Sequence, residues 1–165
     1  MLIEILDETG RFRRRERLAR VLRRVATVVP LPPRLDGAEP EMTVVLVDDA
    51  AIATRNRADR GVDGPTDVLA YPLHEPDDAG FPSIPHLGDV VISLDTARRQ
   101  ARSRGRPAWH EVAVLASHGL LHLLGYDHRS PVEWAPFEAV QGLAEAEAEA
   151  VDRSRSAYRS LRATS

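Results

Sequence analysis

The sequence predicts an α+β fold or a three-layer α/β domain. Three observations lead there. The stretch TVVLV at 43–47 is an unbroken β-favouring run, as in an interior strand. Leu18, Leu22, Val25 and Val29 recur at i, i+4, i+7 and i+11, the spacing of one helix face. About four strands and about five helices can be read along the chain, and they do not alternate in the strict βαβ manner of a doubly wound sheet. With 165 residues, a single domain over 1–165 with a substantial core is expected.

The elements follow in order. Leu2 to Leu6 reads as a short strand closed by the turn signal DETG. A helix runs from about Arg13 to Val29, its apolar face backed by arginines that form either a solvated surface or a nucleic-acid-facing stripe. PLPPRLDGAEPE then breaks the helix and loops back. Met42 to Val47 is the interior strand, and Asp48 or Asp49 caps a short helix through about Arg57. Val68–Tyr71 and VVISL at 90–94 are strands, joined by the proline-rich, acidic loop or flap PLHEPDDAGFPSIP. Asp95 or Thr96 caps a helix carrying the arginines of ARRQARSRGR, and Pro107 opens another over Trp109–Leu124. A final helix spans Val132 to about Leu161 with a break near Gly142, and a flexible tail is expected from about residue 150.

Composition excludes several classes. Hydrophobic residues at 43% and charged residues at 28% are ordinary for a globular chain, and no apolar run approaches the roughly 18 residues of a membrane span. The start MLIEILDETG is acidic where a signal peptide is basic, so a cytoplasmic location is expected, with no membrane partner. Cysteine is absent, which rules out disulfides and thiolate metal sites and leaves nitrogen and oxygen donors. The net charge of −3 does not mark a nucleic-acid binder, yet every basic residue is arginine, clustered at 11–24 and 97–106, while acids collect in EAEAEAEAVD.

The most informative stretch is HGLLHLLGYDH at 118–128, which holds three of the six histidines. On a helix, His118 and His122 share a face one turn apart. His128 would lie ~9 Å beyond His122 if the helix continued. Gly125 removes that obstacle, because glycine at a helix C-terminus adopts the left-handed conformation that reverses the chain. The three imidazoles can then hold one ion, with Zn²⁺ as the expected cofactor and a fourth tetrahedral position free for water, the pattern of a catalytic site. His110 lies ~12 Å away along the same helix and reads as structural. His74 and His86 sit in the long loop without an evident partner. The spacing H-x-x-x-H-x-x-G-x-x-H is that of the metzincin proteases, except that Gly119 stands where the protease carries its glutamate general base. Hydrolysis of a phosphodiester depends more on charge neutralisation and positioning than on that glutamate.

Together with GPTDVLAYP and LGDVVIS, the histidine motif resembles the YbeY family of bacterial ribosomal-RNA maturation factors. The likeness covers roughly residues 42–140 and rests on Asn56, Arg60, Asp63, Pro65, Thr66, Asp67, Val68 and Leu69, then Gly88, Asp89 and all of 118–128. It departs at Asp59, where an aromatic usually precedes the arginine, and at Ala70-Tyr71, where Ser-Phe is usual. The resemblance implies an α+β, zincin-like fold, a small mixed sheet packed against helices, with the metal site at the end of a helix. It implies a zinc-dependent, single-strand-specific endoribonuclease of ribosomal-RNA maturation, acting in 16S 3′-end processing and ribosome quality control. His118, His122 and His128 match the metal ligands, and Arg60 and His118 the residues tied to activity. Ribosomal RNA, the small ribosomal subunit and assembly proteins are the implied partners.

On chemistry alone, Arg60 either binds the scissile phosphate or forms a salt bridge to Asp63 or Asp67. Thr66 and Asp67 read as scaffolding at a strand entrance. Asp127 either orients an imidazole or stabilises the turn. Tyr126 reads as packing. Two other functions compete: a metallohydrolase for a different substrate such as peptide, and a ribosome-assembly factor whose zinc is mainly structural.

Overall fold

The TVVLV run forms the middle of the sheet. Strand β2 (Glu41–Val47) lies between β1 (Leu2–Asp7) and β4 (His86–Ser93), parallel to both, and β3 (Val68–Pro72) pairs antiparallel with β4. The order is β1-β2-β4-β3, a mixed sheet as the family resemblance implies. The computed structural model describes residues 1–35, 39–73 and 85–163, without the side chains of Arg34 and of 155–163. Residues 74–84, most of the expected flap and including His74, lie outside the described residues.

Five helices complete the fold: α1 (Arg15–Ala26), α2 (Asp49–Arg60), α3 (Leu94–Ser103), α4 (Ala108–Leu123) and α5 (Pro131–Ala163). Met42, Val44 and Leu46 of β2 join Val90 and Ile92 of β4 in the main core with α1, α4 and α5. Val45, Val47, Leu69 and Val91 face the other way and pack with Ile52 of α2. Helices on both faces explain why β2 shows no polar alternation. Among the described residues no helix is long and apolar enough to cross a membrane.

Three expectations need correction. Asp48 caps α2 by accepting the Ala51 N–H at 2.8 Å, as predicted, but the helix runs to Arg60 instead of Arg57. Helix α3 is capped by Ser93, whose hydroxyl accepts the Thr96 N–H at 3.1 Å, not by Asp95 or Thr96. The reason is that β4 passes into α3 with no loop, so the last strand residue becomes the cap. Finally, α5 continues through Gly142. Phe137, Val140, Ala144, Ala148 and Val151 are buried at helical spacing, and packing that stripe outweighs the ~1 kcal/mol that glycine costs a helix interior.

Buried charges lock the helices together. Glu111 of α4 is fully buried and paired with Arg104 and Arg106, and Arg106 also reaches Glu145 of α5 at 2.6 Å. Asp152 of α5 accepts from Arg17 at 2.5 Å and from the Trp109 indole at 3.1 Å, and lies 2.9 Å from His110 Nε2. His110 is thus a structural histidine, as its distance from the motif suggests. With Arg24 and Glu147 3.3 Å apart, part of the arginine face of α1 is directed at the acidic face of α5.

Candidate metal centre

The end of α4 builds the site. Gly125 has φ 88°, its N–H donates to the His122 carbonyl at 3.0 Å, and the Tyr126 N–H donates to the Leu121 carbonyl at 3.0 Å. These two bonds are the Schellman closure of a helix, which needs a left-handed residue at that position. The chain reverses there and returns His128 to the helix end. Its ring centroid lies 5.2 Å from His118 and 5.1 Å from His122, which are 4.9 Å from each other. Side-chain nitrogens of the three all lie within 4.8 Å of one another, so the spacing and the glycine do bring them together.

The donors suit a divalent metal. His122 Nδ1 lies 3.1 Å from the Tyr126 carbonyl, which can only accept, so the proton sits on Nδ1 and leaves Nε2 with a lone pair. Burial, and then the charges of His122 and His128, push the His118 imidazole down to about 4, and burial and His128 lower His122 as well. Both rings are therefore neutral at ordinary pH, the form that ligates metal. Nε2 of His118 and Nε2 of His122 stand 3.1 Å apart, against ~3.3 Å for two nitrogens of a tetrahedral zinc site at ~2.0–2.1 Å from the ion. Among the described residues the group contains these three side chains and no fourth ligand.

Two aromatic residues that motif reading passed over finish the site. Phe137, fully buried, places its ring 4.7–4.9 Å from all three imidazoles, and Trp134 lies 4.8 Å from His128. The available signal was their i, i+3 spacing at the start of α5, just after the motif. Gly119 acquires a structural reason too. A Cβ there would come within 2.5 and 2.7 Å of the Val90 methyls, so α4 rests on β4 at this point and has no room for the protease glutamate.

Arg60 ends α2, exposed, and among the described residues no carboxylate pairs with it. The alternative partners are taken: Asp63 pairs with Arg57 at 2.9 Å, and Asp67 accepts from Gln100 and the Val68 N–H, both at 2.9 Å. The positive charge of Arg60 is felt at both His122 and Tyr71. Asn56, buried, braces the following loop by donating to the Gly64 carbonyl at 3.0 Å. Asp67 scaffolds the entrance to β3 as predicted, and its charge also reaches His118. Asp127 settles as a turn residue, accepting the His128 N–H at 2.8 Å and pairing with Arg129 at 2.6 Å. Tyr126 packs on the core, and its carbonyl also orients His122. His86 begins β4, not the loop, with Nε2 3.3 Å from Asp89 Oδ1.

An α+β fold with three imidazoles gathered at a reversed helix end defines a protein with an all-nitrogen candidate metal site. The chain belongs to the YbeY family, described as "Endoribonuclease YbeY", which matches residues 4–146. It is 56% identical over 92 residues to the Endoribonuclease YbeY of Deinococcus radiodurans, a match spanning 56% of this chain and 58% of that protein's length. The relative of the same name from Moorella thermoacetica is 45% identical over 131 residues, covering 76% of this chain and 83% of its own. The solution structure of TM1509 from Thermotoga maritima superposes with a TM-score of 0.63 at 26% identity, over 93% of each chain.

Proposed function

We propose that this chain is a zinc-dependent, single-strand-specific endoribonuclease of ribosomal-RNA maturation, acting in the cytoplasm with the small ribosomal subunit and its assembly proteins. The observation that carries this reading is the convergence of three imidazoles, with an exposed arginine whose charge is felt at His122, in a family described as endoribonucleases. His118, His122 and His128 would hold the metal, and zinc would supply a Lewis acid and a nucleophile available near neutral pH. Arg60 binds the scissile phosphate through its planar fork and offsets the charge that grows in the transition state. Tyr126 fixes the tautomer of His122, and Phe137 keeps the inner side of the site dry. Packing of Gly119 against Val90 leaves no place for a protease-type glutamate and disfavours peptide as substrate.

The test is direct. Purified protein is analysed for metal, then assayed on single-stranded RNA and on casein, with and without chelator. RNA is cut, casein is not, chelation stops cleavage and added zinc restores it. Arg60→Glu abolishes cleavage while zinc content and melting temperature stay near those of the parent, and binding of RNA weakens steeply with salt. Persistent cleavage by Arg60→Glu removes Arg60 from the mechanism, and cleavage that survives full metal removal overturns the metal-dependent reading.

A further inference from the structure

Trp134 has a setting that metal chemistry does not require. The other tryptophan, Trp109, is 7% exposed and donates to Asp152, whereas Trp134 is 40% exposed at the rim of the imidazole cluster. One side of its indole stacks on buried Phe137, with planes 9° apart and centroids at 5.7 Å, which holds the ring in place. Beyond it opens a groove of about 480 Å³ between α4 and α5. It is lined by Val114, one turn before His118 on α4, by Glu138 and Gln141 on α5, and by Arg104.

We propose that this groove binds a nucleobase of the substrate strand, stacked on Trp134 next to the scissile phosphate. The inference rests on the endoribonuclease reading. Position supports it: the indole is 4.8 Å from His128 and 6.0 Å from His118, so a base beside a phosphate held at the imidazoles falls on the ring. Charge supports it as well. Arg104 and Arg106 both pair with Glu111, Arg106 also with Glu145, and Glu138 adds an anion, so the groove holds no excess positive charge for a phosphate and suits an uncharged base. Gln141 offers both a donor and an acceptor to a base edge. Gly142 leaves the wall open, since a Cβ there would meet nothing within 4 Å.

The experiment uses chelator-treated protein, which keeps RNA intact, and a short single-stranded oligoribonucleotide followed by tryptophan fluorescence and anisotropy. Parent protein is quenched on binding. Trp134→Phe loses the quench but keeps most of the affinity, because an aromatic platform remains, and Trp134→Ala binds about tenfold more weakly. With metal restored, Trp134→Ala raises KM more than it lowers kcat, at unchanged zinc content. The same sequence as a duplex, its bases already stacked, does not quench. If the parent cleaves RNA while Trp134→Ala binds it as tightly, or a duplex quenches equally, the groove is not the base site and the nuclease reading stands. If the parent neither binds nor cleaves RNA, both are overturned.

Discussion

Asp59 adjoins Arg60 in sequence, where a carboxylate could draw the guanidinium away from a phosphate. Tyr71 prevents this: its hydroxyl donates to Asp59 Oδ2 at 2.5 Å. Burial, together with that bond and the charge of Asp59, pushes the Tyr71 phenol up to about 12, so it remains a donor at any working pH. Asp59 and Tyr71 are two of the positions at which the chain departs from the family pattern, and they meet in space. Each departure makes sense given the other. Tyr71→Phe should free Asp59 to pair with Arg60 and lower kcat/KM for RNA by roughly fivefold at most, the worth of an exposed ion pair. Asp59→Asn added to Tyr71→Phe should restore the rate. Equal kinetics for parent and Tyr71→Phe at low salt would show that Asp59 does not compete for Arg60.

At the level of elements, α4 sets the site, and its contact with β4 is the closest tolerance in it. Gly119→Ala brings a methyl within 2.5 Å of a stiff, branched Val90. Overpacking of this kind costs ~1–3 kcal/mol, against at most ~1 kcal/mol gained in helix propensity. The variant should therefore melt at a lower temperature and bind zinc more weakly, as α4 shifts and carries His118 with it. A melting temperature and zinc affinity equal to the parent's would refute this. The parts of the fold and site legible in sequence are the local ones. The i, i+4 pair, Gly125 and the run of β2 each signal within a few residues, and the reversal after α4 follows from them. What could not be read depends on partners far along the chain. Ser93 caps α3 because no loop intervenes, α5 crosses Gly142 because α4 receives its apolar stripe, and Phe137 reaches the imidazoles only once α5 has folded back. The tie between Asp59 and Tyr71 is not legible either, because nothing near Asp59 in sequence announces Tyr71.

Across the whole molecule, the basic N-terminal half and the acidic tail seen in the sequence partly neutralise each other through Arg17 with Asp152 and Arg24 with Glu147. A net charge of −3 thus conceals paired surfaces. Burial of neutral imidazoles leaves a signature of its own in the stability of the metal-free protein. His118 titrates near 6.5 when unfolded and at about 4 when folded, and His122 is shifted in the same direction. Between those values the unfolded chain binds more protons, so stability falls as pH is lowered from 6.5 towards 4 and is level above that window. The carboxylates act elsewhere. Burial raises the Asp49 carboxyl, but bonds from Arg99, Ser93 and Thr96 prevail and hold it at about 2, so the stability it contributes is lost only as pH falls below 3.8. Urea midpoints of chelator-treated protein should therefore decline across pH 6.5 to 4, and His118→Phe should flatten much of that decline. Saturating zinc at neutral pH should raise the parent's midpoint, by linkage to the folded state, and leave that of His118→Phe nearly unmoved. A midpoint that is flat with pH in the parent, or equally steep in the variant, means that the imidazoles are not held neutral by the fold.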